Sequence, residues 1–373
     1  MGLDNSNSRK KFGSNLLYNI KSKYIVKQIT DNLQKIKVLQ LINYNKTIQN
    51  QLEISINDYK SYSLIEIELI PKDQKITTSY FINYGKNKKK YFHIYLNEKE
   101  EEIGRNYFIW NDEVKKVKVL IQGKVKTFEG LFSDCICIKS ISFINFKKKG
   151  IINLSKMFYK SLVEEIYFKN FNSSEVTNMS YMFSNCHLLK KIEFSDFNTK
   201  NVKDMNNMFS YCNSLSEINL SSFITDKVKN MNSMFSNCIS LKNLNLSNFN
   251  TVNVINMASM FESCPSLSEL NLSNFTTKNV TDMCNMFANC EYLKNINISN
   301  FNTDNVNNLS GMFSKCKSLI KLDLSSFNNC PNSKKQFMFK DCHSLKIIKV
   351  KKFTFEDDNA LNGCSLNLKI TNE

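Results

Sequence analysis

Proline and glycine are scarce in this chain, at 3 and 9 of 373 residues. No Pro- or Gly-rich linker is therefore visible. No stretch reaches about 18 apolar residues, so no transmembrane helix is expected. The N-terminus has no apolar core of the kind a signal peptide needs. Histidine is limited to His93, His187 and His343, which leaves little for acid–base chemistry. A phosphate-cradling Gly loop, an HExxH motif and a nucleophile beside a base are all missing. No catalytic residue, cofactor or small-molecule substrate is assigned. Twelve cysteines are present, but without a CxxC pair, and no metal site is expected.

What the chain has in abundance is repetition. Met-Phe pairs fall at Met157-Phe158, Met182-Phe183, Met208-Phe209, Met234-Phe235, Met260-Phe261, Met286-Phe287, Met312-Phe313 and Met338-Phe339, and Leu131-Phe132 is a weaker copy. The step is 26 residues from Met182 onward. A fixed period of this length means a solenoid, because one period cannot bury its apolar side alone and stacking coil on coil does. In residues 254–280, Val254, Met257, Met260, Phe261 and Cys264 are spaced as one face of a short helix. Asn253 precedes it as an N-cap, as do Asn201, Asn279 and Asn305 in other copies. Leu270 and Leu272 alternate as a short strand. Like positions then meet like positions, giving one phenylalanine ladder from the Met-Phe pairs and a second from the corner residues Phe146 to Phe353.

The block VTDMCNMFANCEYLKNINISNFNTDNV resembles the BspA-like leucine-rich repeat, in the form grouped from mycoplasma surface proteins and protists. The resemblance covers about 125–355. It implies an α/β leucine-rich-repeat solenoid, with a short strand and a short helix per coil, that binds proteins or surfaces and has no common catalytic site.

Cys186, Cys212, Cys238, Cys264, Cys290, Cys316 and Cys342 occupy one site per coil. They read as small buried hydrophobes at a helix end, forming a free-thiol ladder in a reducing compartment. Stacked neighbours within disulfide distance remain an alternative. Pro331 and Lys335 fall where the last helix should be apolar, Cys364 is out of register, and Leu366, Leu368 and Ile370 alternate as a closing strand.

The formal charge is +16, of which residues 1–150 carry +12 and the remainder +4. The basic front favours an anionic membrane surface over nucleic acid; a biased Lys/Asn/Ile-rich composition is the plain alternative. Residues 1–13 form a basic tail whose start, Met1-Gly2-Leu3-Asp4-Asn5-Ser6, fits N-myristoylation at Gly2. Residues 14–60 form a helical segment, faintly similar to an F-box but without its Leu-Pro opening; a plain helical cap is the other reading. Residues 61–125 read as a small β module, from Ser63–Leu69, Tyr91–Leu96 and Val117–Ile121, whose last strand caps the solenoid. The solenoid then runs over 126–355, and 356–373 close it.

The strand residue between two buried positions points outward. In successive coils it is Tyr167, Glu193, Asn219, Asn245, Asn271, Asn297, Asp323 and Lys349. On this concave face a protein partner is expected; the Asn run reads as an amide ladder bonded along itself, and the variable ends, Tyr167 and Glu193 on one side and Asp323 and Lys349 on the other, read as the better contacts. Asn219, Asn245, Asn271 and Asn297 are also N-x-S sequons, and glycans stacked on one sheet would clash, which supports a cytoplasmic location. The functional expectation is a non-enzymatic interaction scaffold tethered through Gly2 to the cytoplasmic face of a membrane. A ubiquitin-ligase substrate receptor and a cell-surface adhesin are the alternatives.

Overall fold

The computed structural model describes residues 64–372 apart from 73–78, 86–87, 110–111, 124, 147–148, 329–331 and 356–357, together with positions 27, 50 and 52. The chain divides into two units, Met1–Leu64 and Ile65–Glu373. Gly2, the basic tail and nearly all of the expected helical, F-box-like segment lie outside the described residues. Among those described, no helix is long and apolar enough to cross a membrane.

The second unit is a β-solenoid of about nine turns with almost no helix. Its strands are β1 (Ile65–Pro71), β2 (Ser79–Tyr80), β3 (Phe92–Leu96), β4 (Tyr107–Phe108), β5 (Val117–Ile121), β6 (Ile138–Asn145), β7 (Glu165–Phe168), β8 (Lys191–Phe194), β9 (Glu269–Asn271), β10 (Asn295–Asn297), β11 (Lys321–Leu324), β12 (Ile347–Val350) and β13 (Lys369–Asn372). From β6 onward the pairings are parallel and join like positions of successive coils, as in Ile166 with Ile192 and Leu322 with Ile348.

The helix expected in each coil does not form. The Met-x-x-Met-Phe-x-x-Cys stretch is a ribbon of consecutive tight turns. In one coil the amides of Met234, Ser236 and Cys238 donate three residues back, to the carbonyls of Met231, Ser233 and Phe235. The alternate amides of Met231, Ser233, Phe235 and Asn237 donate instead to Asn256, Ala258, Met260 and Glu262 of the next coil, at 2.7–3.0 Å. An α-helix would need all of these for its own i−4 carbonyls. Two residues per coil have positive φ, Ser233 at 53° and Asn237 at 60° here. That is the third position of a type II turn, and it breaks a right-handed helix. The residues at this pair of sites elsewhere include Asn185, Asn207, Asn285, Asn289, Gly311 and Asp341, the types that tolerate the left-handed region best. The proposed N-caps also act between coils. The Nδ2 groups of Asn201, Asn253, Asn279 and Asn305 donate to the carbonyls of Ser174, Asp226, Val252 and Lys278 in the preceding coil.

The interior is organised in columns. The rings of Phe132, Phe158, Phe183, Phe209, Phe235, Phe261, Phe287, Phe313 and Phe339 form one stack, with centroids 5.3–5.8 Å apart and planes within 17°. Each such pair adds about 0.5–1.5 kcal/mol beyond its burial. The corner column stacks from Phe146 through Phe171 and Phe197 to Phe223, at 3.9–5.8 Å, and again at Phe301 on Phe327 at 6.4 Å, before Phe353 turns edge-on to Phe327. A third column is made of hydroxyls. Thr199, Thr225, Thr251, Thr277 and Thr303 are buried. Each Oγ1 donates to a carbonyl of the next coil and accepts an amide from the same residue, as Thr251 does with Thr276 at 3.0 and 2.8 Å. Ser173 does the same with Asn198.

The β module joins the solenoid differently from expectation. Its first strand, not its last, meets the first coil. β1 pairs antiparallel with β6, Glu68 opposite Ser142 and Ile70 opposite Ser140. One sheet then runs β3-β5-β1-β6-β7-β8. The alternation of buried Ile65, Ile67 and Leu69 puts one face of β1 into the core, and the twofold strand period leaves Glu66 and Glu68 outside. An antiparallel strand here closes the edge that a further parallel coil would need.

At the far end the turn geometry persists where the composition departs. Lys335 takes the place of a core methionine, is 4 % exposed, and reaches the Thr354 carbonyl at 3.2 Å and the Phe353 ring at 5.1 Å. A long side chain can bury its stem while its ammonium finds an acceptor. Phe337 and Asp341 hold positive φ in this coil as well. Cys364 lies in the thiol column after all, donating to the Phe339 carbonyl at 3.2 Å, because the last coil is shorter. Leu366 is fully exposed and precedes the closing strand β13, which pairs with β12.

A candidate binding face on the strand side of the solenoid

The residues expected to point outward do so. Asn219, Asn245, Asn271, Asn297, Asp323 and Lys349 are exposed, and Tyr167 and Glu193 are half-buried. Strand register aligns them: Tyr167 with Glu193, Asn271 with Asn297, and Asp323 with Lys349. A second row beside them holds Glu165, Lys191, Glu217, Asn243, Glu269, Asn295, Lys321 and Ile347, with Glu217 bridged to Asn243.

The asparagines are not bonded along their row. Each Oδ1 accepts the amide two residues on, closing the corner of its own coil: Asn219 from Ser221, Asn245 from Ser247, Asn271 from Ser273 and Asn297 from Ser299, at 3.0–3.2 Å. Asp323 does the same with Ser325 at 2.9 Å. Hydrogen bonds from Ser325 hold the Asp323 carboxyl below the usual carboxylate range. These are Asx turns, favoured because a short carbonyl side chain reaches the second amide without strain. Sequence reasoning missed this role, although the N-x-S spacing in four successive copies, and D-x-S in the next, was its signal.

The row divides into two different sites. At the front, Tyr167 donates to Glu165 at 2.7 Å, Lys191 lies 5.2 Å over the Tyr167 ring, and Lys191 pairs with Glu193 at 2.7 Å. The bond to Glu165 raises the Tyr167 phenol above its ordinary value. The adjoining module faces are paired too, Lys116 with Glu68 and Lys118 with Glu66. These groups satisfy one another. Over the last coils the face hollows into a depression of about 610 Å³, which brings together Asn271, Asn297, Asp323 and Lys349 with Glu269, Asn295, Lys321 and Ile347. Leu270, Ile296 and Leu322 contribute to its lining. Asn219 and Asn245 lie between the two sites.

A family model described as Mycoplasma protein of unknown function, DUF285, matches residues 126–243, 152–271 and 266–364. The first two matches start one coil apart, as a repeat requires. The chain belongs to this family. No curated protein matches the chain. In this DUF285 protein the family region coincides with the solenoid and contains the whole outward row from Tyr167 to Lys349.

The cysteine column of the DUF285 region is buried and unoxidised. Every described cysteine is a free thiol. Cys186, Cys212, Cys238, Cys264, Cys290, Cys316 and Cys342 donate to the carbonyls of Phe158, Phe183, Phe209, Phe235, Phe261, Phe287 and Phe313 at 2.9–3.2 Å. Burial pushes these thiols far up, Cys290 and Cys342 to about 12, so none is a thiolate near neutrality. Among the described residues no group of His, Cys, Asp and Glu is placed to hold a metal.

Proposed function

We propose that this chain is a non-enzymatic interaction scaffold, a BspA-like repeat solenoid that presents its strand face to a protein partner. The observation that supports this most directly is the outward row itself. Seven consecutive coils from Glu193 to Lys349 place one polar side chain each at the same position of a rigid surface. Their backbones are tied by inter-coil bonds, so little ordering entropy opposes binding. In this reading the basic front and an acyl chain on Gly2 hold the scaffold at the cytoplasmic face of a membrane, since one acyl chain needs a second signal.

The test is capture of partners from the native cell by the full chain and by an Asn245→Arg/Asn297→Arg variant. Both substitutions lie on the exposed face; each gives up one corner bond, from Ser247 or Ser299, so the variant is used below its own melting temperature, where the native far-ultraviolet spectrum should persist. Loss of the captured set supports the face; an unchanged set refutes it. For the tether, the mature N-terminal peptide should lack Met1 and gain about 210 Da at Gly2. An unmodified or acetylated glycine removes the anchor from the proposal.

A further inference from the structure

The corner bonds decide which way each asparagine amide points. An amide N–H can be accepted only by Oδ1, so the contacts from Ser221, Ser247, Ser273 and Ser299 leave Nδ2 as the outward group. The row from Asn219 to Asn297 therefore offers four hydrogen-bond donors of fixed direction, one per coil. These four positions carry no charge, and Lys349 continues the donors beyond Asp323. A preorganised row of neutral donors suits a ligand with regularly spaced neutral acceptors.

The spacing selects among such ligands. Adjacent parallel strands lie about 4.8 Å apart, so two coils advance about 9.6 Å. A polyproline II peptide turns once in three residues and advances about 9.3 Å per turn. Its carbonyls make no internal bonds and face outward, so every third carbonyl meets every second asparagine. A flat extended strand repeats its carbonyls on one side every two residues, about 6.6 Å, and falls out of step after one coil. The depression beside Asn271 and Asn297, with Ile296 and Ile347 in its lining, can take the apolar side chains of the same peptide. We infer that the strand face binds a protein segment in polyproline II conformation laid along the solenoid axis, its carbonyls accepting from the Nδ2 groups of alternate asparagines, Asn219 with Asn271 or Asn245 with Asn297. This rests on the strand face being the partner-binding face.

Asp323 supplies the test substitution, because it occupies the same column and makes the same corner bond through Oδ1. Asn271→Asp/Asn297→Asp should keep both corners while replacing two donors by carboxylate oxygens. Fluorescence anisotropy of a labelled, acetylated and amidated decaproline is measured against the full chain. Saturable binding is expected, weakened at least tenfold in the double Asp variant with an unchanged melting temperature. Equal binding by both proteins overturns the inference. If decaproline fails to bind while the Asn245→Arg/Asn297→Arg variant still loses its captured partners, the peptide conformation is wrong and the binding face stands. If a linear glucan oligosaccharide binds in place of decaproline and the Asp variant loses it, the acceptors belong to a sugar chain and the peptide inference falls. If the Arg variant loses nothing and decaproline does not bind, the face and the inference fail together.

Discussion

The thiol column makes this protein sensitive to alkali in a calculable way. Each of Cys186, Cys212, Cys238, Cys264, Cys290, Cys316 and Cys342 is buried, its S–H donating to a phenylalanine carbonyl. Burial raises their folded-state values well above that of an exposed thiol, about 8.5. A raised value means that the stabilisation is complete below the unfolded value and is lost as pH climbs toward the folded one. Above about 8.5 the unfolded chain releases protons that the folded chain keeps, so unfolding is favoured. Linkage gives about 0.8 kcal/mol per thiol at pH 9.0 and about 1.4 at pH 9.5. Seven thiols together lose about 6 and about 10 kcal/mol, against total stabilities of about 5–15 kcal/mol for ordinary domains. The solenoid should therefore unfold between about pH 9 and pH 10, followed by far-ultraviolet circular dichroism. Lysines and tyrosines titrate nearby, so a single substitution isolates the thiols. Cys238→Ala should destabilise the protein at pH 7 in a urea titration. That deficit should shrink by about 0.8 kcal/mol at pH 9.0, because the variant has one thiol fewer to ionise on unfolding. A deficit equal at both pH values, or a folded chain at pH 11 with ionised thiols, would refute the reasoning.

Three other outcomes are expected. Thr251→Val removes the bridge to both backbone groups of Thr276 and should cost about 2–4 kcal/mol in urea melts, whereas Thr251→Ser, which restores the arrangement native at Ser173, should cost about 1 kcal/mol for the lost methyl. Ser259 has a φ of 56°, so Ser259→Val should lower stability by about 1–3 kcal/mol while Ser259→Asn, matching Asn207 and Asn285, stays within about 0.5 kcal/mol. Iodoacetamide at pH 8 should label half-buried Cys284 and Cys364, the last thiol of the column, before any of the seven fully buried thiols from Cys186 to Cys342, as peptide mass spectrometry would show, and labelling of those seven before unfolding would contradict the packing.

Much of the architecture was legible in one dimension. The 26-residue step, the phenylalanine stack, the thiol column and the identity of every outward residue follow from the period together with the rule that like meets like between coils. These depend on which residues are apolar and on how far apart they recur, and both are properties of the string. The spacing of Val254, Met257, Met260, Phe261 and Cys264 could not separate a helix from a ribbon of turns, since both return an apolar residue to the core every three or four positions. That choice was settled by the amides of Met231, Ser233, Phe235 and Asn237, which find acceptors 25 residues away on the neighbouring coil. The left-handed sites did leave a trace, in columns such as Asn185, Asn237 and Asn289, but Tyr211 and Lys315 in the same column obscured it. Asn253 read as a helix cap and Asn271 as a rung because a side-chain amide can serve either role with equal chemistry. Only the stacked coils, by placing the Asp226 carbonyl beside one and the Ser273 amide beside the other, determined which hydrogen bond each asparagine makes and which of its atoms is left for a partner.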